Sequence, residues 1–344
     1  MVKSLGGYNN AATSYDFTRY FIVLPSEHIH SAIDVLLDAL LHIQLPREEI
    51  ERERNVVLEE IARKEDSPHG KMYDELLACV FEETPYARPV LGTAESLSEF
   101  NRDSIMAYRD RQYVPDRIHL AVSGQIEQRK IEDQVCAILE PSEGSSTNPL
   151  PGFDLPPRGS NRPTFEHRKD INQTYLVAGY RTPPIQGTND EIALDLIDAV
   201  LSEGRSSRLV YRLVEETGLC SNVSAFCWGL DRVGMFGFEA CYEEEDEPQV
   251  IGVLDEEIAR IRSEPVPEDE FEKAKTLILT GFAFSLERVA SLAGVLGRNS
   301  ANGQLDNFLQ FEDRVRAVSP AEAQEAFNRC CPEERRVLGF VRPE

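Results

Sequence analysis

PSEGSSTNPLPGFDLPPRGSNRP, residues 141–163, holds six prolines and few apolar side chains. Proline fixes φ and removes a backbone donor, so this run neither propagates a helix nor joins a sheet. An extended linker is expected, with one domain over 1–140 and a second over 164–344. Just before the linker, 117–123 reads as a strand and 128–139 as a helix. Just after it, 173–180 reads as a strand and 190–201 as a helix. Farther out, the first half carries a short helical tail ending at Gly6-Gly7 and a strand over 12–24 rich in Tyr, Phe, Thr and Val. Helical periodicity follows over 27–41, 47–64, 71–81 and 103–111. The second half adds strands over 223–228, 235–242 and 337–341, with helices over 207–216, 249–262, 268–287 and 320–329. Runs of strands and helices on both sides of the linker predict an α+β fold of two domains, each a sheet covered by helices. A weak internal repeat agrees. Ala107-Tyr108 leads through Tyr113 and Pro115 into a strand, and Ala326-Phe327 leads through Cys331 and Pro332 into another.

The 344 residues divide well into two domains, and 41% apolar with 28% charged residues is a globular balance. Sixty acidic against 36 basic residues give a net charge of −24, which opposes binding to nucleic acid or to an anionic membrane. No run approaches the ~20 apolar residues that span a bilayer. The opening MVKSLGGYNNAATSYDF has no apolar signal core or cleavage site, so a cytoplasmic chain is expected, subject to change if a segment precedes it. Seven scattered cysteines with no C-x-x-C fit free thiols in a reducing compartment. Cys330-Cys331 reads either as a redox pair or as two small residues ending a helix before Pro332.

ERERNVVLEEI, residues 51–61, carries the chemistry. On a helix with Ile50 at zero, Val57, Ile61 and Leu58 fall at roughly 340°, 20° and 80°, and Val56 at roughly 240°. Glu53 and Glu60 fall near 300° and 280°, inside the apolar arc, while Glu59 falls near 180°. Two carboxylates in an apolar arc call for a metal, a cation or hydrogen bonds. The alternative is that both sit at the edge of the arc and reach solvent, with an arginine such as Arg54 nearby. Histidine would normally complete a metal site, but none of the six lies in H-E-x-x-H or H-x-x-E-H. His28 and His30 point to different helix faces. Gly204–Leu209, GRSSRL, is no phosphate loop, and no G-x-S-x-G elbow occurs.

Five blocks then make a resemblance. SLGGYNNAATSYDFTRYF, ERNVVLEEI, TPYARPVLGT and YVPDRIHLAVSG resemble the insulinase (pitrilysin, M16) family of zinc peptidases, and LSEGRSSRLVYRLVEETGL resembles that family's second homologous domain. The processing-peptidase type is the nearest subgroup. The resemblance implies two homologous α+β domains, each a mainly antiparallel sheet covered by helices. It implies a Zn²⁺ ion held by two His of H-x-x-E-H and a downstream Glu, which Glu60 matches as metal ligand. Glu53 matches the acidic residue that supports the metal site from outside the ligand set. The family's G-x-x-N-A-x-T edge strand, which pairs with substrate backbone, matches Gly7, Asn10, Ala11 and Thr13. Peptide substrates and a homodimer or heterodimer with another M16 chain follow from the same resemblance. Two departures stand against it. The H-x-x-E-H motif is absent, so the first domain is expected to be truncated at its N-terminus. An Arg and a Tyr seven apart in domain two are not both kept: one register gives Val214 and Ser221, another Arg212 and Leu219. Two expectations follow: a piece of a zinc endopeptidase that is catalytically incomplete, or a non-catalytic partner subunit. An acidic interaction module with no ligand is the third reading.

Overall fold

The computed structural model describes residues 1–139, 153 and 163–344. The expected linker therefore lies outside the described residues, except for Phe153 and Pro163. Among the described residues the strands are β1 (Tyr8–Thr13), β2 (Thr18–Val23), β3 (Thr164–Lys169), β4 (Thr174–Thr182), β5 (Cys220–Gly229), β6 (Gly234–Tyr242) and β7 (Val337–Pro343). The helices of the first half are α1 (Ile29–Leu41), α2 (Arg47–Asp66), α3 (Pro68–Val80), α4 (Ala94–Glu99), α5 (Arg102–Gln112) and α6 (Gln128–Leu139). Those of the second half are α7 (Asn189–Ser202), α8 (Glu247–Ser263), α9 (Glu268–Ser285), α10 (Val289–Ala301), α11 (Leu305–Leu309), α12 (Phe311–Ala317) and α13 (Pro320–Cys330). The fold is α+β, as expected.

Two compact units form, and they interleave along the chain. The first takes Met1–Ile61, the described part of Val90–Gly152, and Phe284–Leu305; the second takes the remainder. These packing units are not the contiguous segments 1–140 and 164–344. The reason is α3, whose Met72, Leu76 and Val80 bury their side chains on the sheet of the second unit.

That sheet has the order β3-β7-β4-β6-β5, with β3 parallel to β7 and every other pair antiparallel. Helices cover both faces of its centre, so β4 and β6 are buried almost throughout and lose the apolar–polar alternation of a half-exposed strand. On one face Leu176, Ala178 and Tyr180 of β4 join Phe236 and Phe238 of β6 and the helices α7, α8 and α13. Phe236 meets Phe238 and Phe327 edge-on, each at 5.4 Å. On the other face α3 lies so close that a Cβ on Gly179 would sit 3.0 Å from Leu76 and from Val80. The edge strand β3 lays the Phe165 ring over Gly339, where a Cβ would collide at 2.0 Å.

The first unit is built more thinly. Its strands β1 and β2 form a two-stranded antiparallel sheet. Helix α1 packs on β2 and on α6, burying Ile33, Leu37 and Ile131.

Four expectations are corrected. Residues 12–24 are not one strand but a hairpin, turned at Ser14–Phe17, where the Ser14 N–H donates to the Phe17 carbonyl at 2.9 Å. Residues 117–123 are not a strand, and Arg117 itself ends a 3₁₀ turn. Ile118 is extended, at φ −100° and ψ 121°, but among the described residues no ladder partner lies beside it. The repeat unit is nonetheless visible. A helix (α5 or α13), a 3₁₀ turn (Pro115–Arg117 or Glu333–Arg335) and an extended segment follow one another twice, and only β7 finds neighbours. The 207–216 helix carries a π stretch at Val210–Glu216. The strand β3 was not foreseen, nor were α10 to α12.

Candidate functional site

Gly7 begins the hairpin where a side chain has no room. A Cβ there would meet the Val23 carbonyl oxygen at 2.6 Å. Gly6 before it adopts φ 76°, which closes the short N-terminal 3₁₀ turn. From there β1 runs with all six residues exposed. The Ser14–Phe17 bond fixes which backbone groups face β2. Antiparallel pairs alternate between hydrogen-bonded and non-bonded, so Ala12/Arg19, Asn10/Phe21 and Tyr8/Val23 bond across the ladder. Asn9, Ala11 and Thr13 consequently turn their N–H and C=O groups to the outer edge. Among the described residues no strand pairs there. One of these groups already has a local occupant: the Ala11 N–H donates to Oδ1 of Asn10 at 2.9 Å. That cap was not read from the sequence, although Asn is the side chain best able to bond its neighbouring backbone.

The hairpin's two faces differ. Tyr8 meets Phe21 edge-on at 6.1 Å, and the Arg19 guanidinium stands 5.4 Å over the Phe21 ring. On the opposite face the Tyr20 and Tyr113 hydroxyls are 2.8 Å apart. Burial first, and then the bond to Tyr20, push the Tyr113 hydroxyl pKa up, so it keeps its proton at any neutral pH.

Glu53 and Glu60 are both exposed, and α2 has no fully buried residue at all. The apolar arc that was expected to bury them is itself half open, with Val56 46% exposed. The solvated-edge alternative is what the helix adopts. Arg54 is close, but it pairs with Glu51 at 2.9 Å and donates to the Phe100 carbonyl at 2.5 Å. Seven residues apart, Glu53 and Glu60 are roughly 10 Å apart along the axis, too far to share one ion. Beside the helix start lies a cleft of about 310 Å³ lined by Arg47, Ile50, Glu51, Asn101, Arg102 and Asp103, which includes neither glutamate.

The donors needed for zinc do not assemble. Among the described residues no group of three or more His, Cys, Asp or Glu side chains is placed to hold a metal ion. The histidines are dispersed: His30 meets Gln134, His42 meets Asp38, His119 meets Ser300 and His167 meets Glu75. The residues present therefore do not fit a tetrahedral Zn²⁺ site. All seven cysteines are free thiols, and Cys330 and Cys331 end α13.

Arg212, the one member of the expected Arg/Tyr pair that a register retains, is engaged within the second unit. Its guanidinium donates to Glu257 at 2.9 Å and Glu256 at 2.7 Å. Arg208 adds a two-pronged bond to Glu270 at 2.8 and 2.7 Å. With Arg208 and Glu257 both buried, this is an internal charge network rather than an open binding surface.

Comparison with known proteins is consistent along the chain. Residues 1–94 match the family model described as insulinase (peptidase family M16), and residues 99–278 match the one described as peptidase M16 inactive domain. An uncharacterized zinc protease of Mycobacterium leprae is 30% identical over 309 residues, covering 88% of this chain and 68% of its own length. An uncharacterized zinc protease of Rickettsia felis is 26% identical over 325 residues, covering 94% and 77%. Among solved structures, a protease from Helicobacter pylori superposes with a TM-score of 0.88 at 21% identity, over 99% of this chain and 84% of its own. A peptidase M16 inactive domain from Pseudomonas fluorescens gives 0.83 at 16% identity, over 100% and 82%. At those identities the solved structures speak for the fold alone.

Proposed function

The chain belongs to the M16 (insulinase) peptidase family, and from that premise we propose that it binds peptides in extended form along β1 and is catalytically incomplete by itself. The observation that carries this reading is the outward row of backbone groups at Asn9, Ala11 and Thr13 on an exposed edge. A strand laid against that edge gains main-chain hydrogen bonds whatever its side chains, which suits a protein that accepts varied peptides. Ala11 and Thr13 are the substrate-binding residues of the proposal, and Asn10, whose backbone faces β2, acts on the same edge through the side chain that caps the Ala11 N–H. Glu60 and Glu53 are kept as one metal donor and its supporting carboxylate, an incomplete set without the H-x-x-E-H histidines that the 344 residues lack.

Peptides methylated on alternate backbone nitrogens test the edge directly. One methylated set should abolish binding and the other should leave it nearly intact, because only alternate N–H groups of an added strand point at β1. Equal loss, or no loss, from both sets would sink the reading. For catalysis, the 344-residue chain should retain less than one equivalent of zinc after dialysis and cleave no peptide faster than a no-protein control. Zinc-dependent cleavage that stops on Glu60→Gln would overturn the claim of incompleteness.

A second reading is that the chain serves as the non-catalytic partner of another M16 chain. It is favoured by the match of residues 99–278 to the inactive domain. Sedimentation of a mixture with an intact M16 peptidase of the same cells would show a new species if this holds. Two unchanged boundaries would count against it.

A further inference from the structure

The two strands of the hairpin read YNNAAT in β1 and TRYFIV in β2, and among these residues Arg19 alone is charged. A chain with 60 acidic and 36 basic residues thus places one positive group, and no negative one, on the strands that make the β1 edge. Arg19 is exposed. Among the described residues no carboxylate or other acceptor holds its guanidinium. Its neighbours are apolar: the Phe21 ring, with its centroid 5.4 Å away, and Gly294 of α10, where a Cβ would stand 3.6 Å from Nη1. An aromatic face orients a planar guanidinium and leaves the N–H donors at its rim free.

The cross-strand register brings that cation within reach of a bound peptide. Arg19 pairs with Ala12, Phe21 with Asn10 and Val23 with Tyr8, all on one face. A strand added antiparallel to β1 sets alternate side chains on this same face, beside Tyr8, Asn10 and Ala12. At Tyr8 and Asn10 a larger side chain stands between the incoming residue and β2. At Ala12 there is only a methyl group. Ala12 directs its N–H and C=O toward Arg19, so it forms a non-bonded pair with the incoming residue, the closer of the two kinds. One bonded and one non-bonded pair together set the incoming Cα roughly 10 Å from that of Arg19. An arginine and a glutamate bridge that span over a methyl, and two short side chains do not.

We propose that Arg19 is a specificity-determining residue of the β1 edge, selecting peptides that carry an acidic side chain, glutamate above aspartate, opposite Ala12. The inference rests on β1 being a peptide-binding edge and adds the class of side chain that edge takes. The guanidinium fork matches a carboxylate in two-pronged geometry. The net negative charge of the chain opposes acidic residues elsewhere, which confines the preference to one peptide position.

The test uses the tolerated member of the alternately methylated peptides, whose methyl groups fix the edge it presents to β1. Glutamate replaces glutamine at each position in turn, and binding is titrated. One position should favour glutamate by about 3-fold, the worth of an exposed ion pair, and the positions on either side should not. Arg19→Gln should bring the glutamate peptide down to the affinity of the glutamine one, and Arg19→Glu should turn the preference to lysine at that position. Ala12→Leu puts bulk between the two charges and should erase the preference with Arg19 intact, so the proposal does not depend on one variant folding. A preference that survives Arg19→Gln, or glutamate favoured nowhere while the contrast between the methylated sets holds, overturns the role of Arg19 and leaves the β1 edge standing. Loss of that contrast overturns both.

Discussion

Asp195 illustrates how one side chain links burial to pH. It sits on α7 among the buried Leu194, Leu196 and Ile197. Burial first, then the Glu191 and Asp198 carboxylates on the same helix, push its pKa up from 3.8 to about 8. Asp198 is pushed up to about 6, again by burial first. The sign follows from proton linkage. Below the unfolded value both states hold the proton and nothing is lost. Between that value and about 8 the folded chain holds a proton that the unfolded chain has released. Stability therefore falls as pH rises across this window, by at most ~1.4 kcal/mol per pH unit for one proton. Urea unfolding at pH 5.5, 7 and 8.5 should show this decline, and Asp195→Asn should flatten it while making the protein more stable at pH 8.5. An unchanged slope in the variant would remove Asp195 as the cause. Asn10 acts at the same scale. Its Oδ1 occupies the Ala11 N–H that an added strand would use, so Asn10→Ala should tighten binding of an extended peptide by roughly 2–10-fold, the worth of one net hydrogen bond. Weaker binding in a titration would mean that Asn10 contacts the peptide itself.

At the scale of elements, α13 shows what local sequence can specify. Ser319 precedes Pro320, and Glu322 stands three residues on. The Glu322 N–H donates to Ser319 Oγ at 3.3 Å, and the Ser319 N–H donates to the Glu322 carboxylate at 2.8 Å. This capping box satisfies two helix-end donors from four consecutive residues, so Ser319→Ala should cost about 1 kcal/mol in chemical denaturation. A cost indistinguishable from zero would mean that α13 is held by its buried Ala323, Ala326 and Phe327 alone. Helices such as α13, α6 and α1 were legible because periodicity and caps are written within the element. Strand pairing is not written there. Residues 118–123 and β7 have similar composition and follow similar helices and 3₁₀ turns, yet only β7 has strands on both sides. The Ser14–Phe17 turn was hidden by a run of β-favouring residues that continues through it. For α2 the helix itself was legible. Its burial was not, because the angular position of Glu53 and Glu60 says nothing about whether another element covers that face.

At the scale of the whole chain, the net charge of −24 acts over distances that no single contact spans. Part of that charge is now located. Helix α2 presents eight carboxylates against five cations, and Glu53 and Glu60 are among its solvent-exposed residues. An acidic field raises the local concentration of basic peptides and speeds their encounter, while adding little to contacts once they are bound. Within the proposed function, a lysine-rich extended peptide should therefore bind faster than a neutral analogue that can form the same main-chain bonds. Dissociation rates should differ much less. The advantage should shrink several-fold between about 0.05 M and 0.5 M salt, because the screening length falls from roughly 14 Å to about 4 Å. Stopped-flow binding of the two peptides across that range separates the terms. A salt-insensitive preference for the basic peptide would indicate a specific carboxylate contact instead, with Glu53 and Glu60 as the first substitutions to make. No preference at any salt would mean that the charge serves solubility and leaves peptide choice to the β1 edge alone.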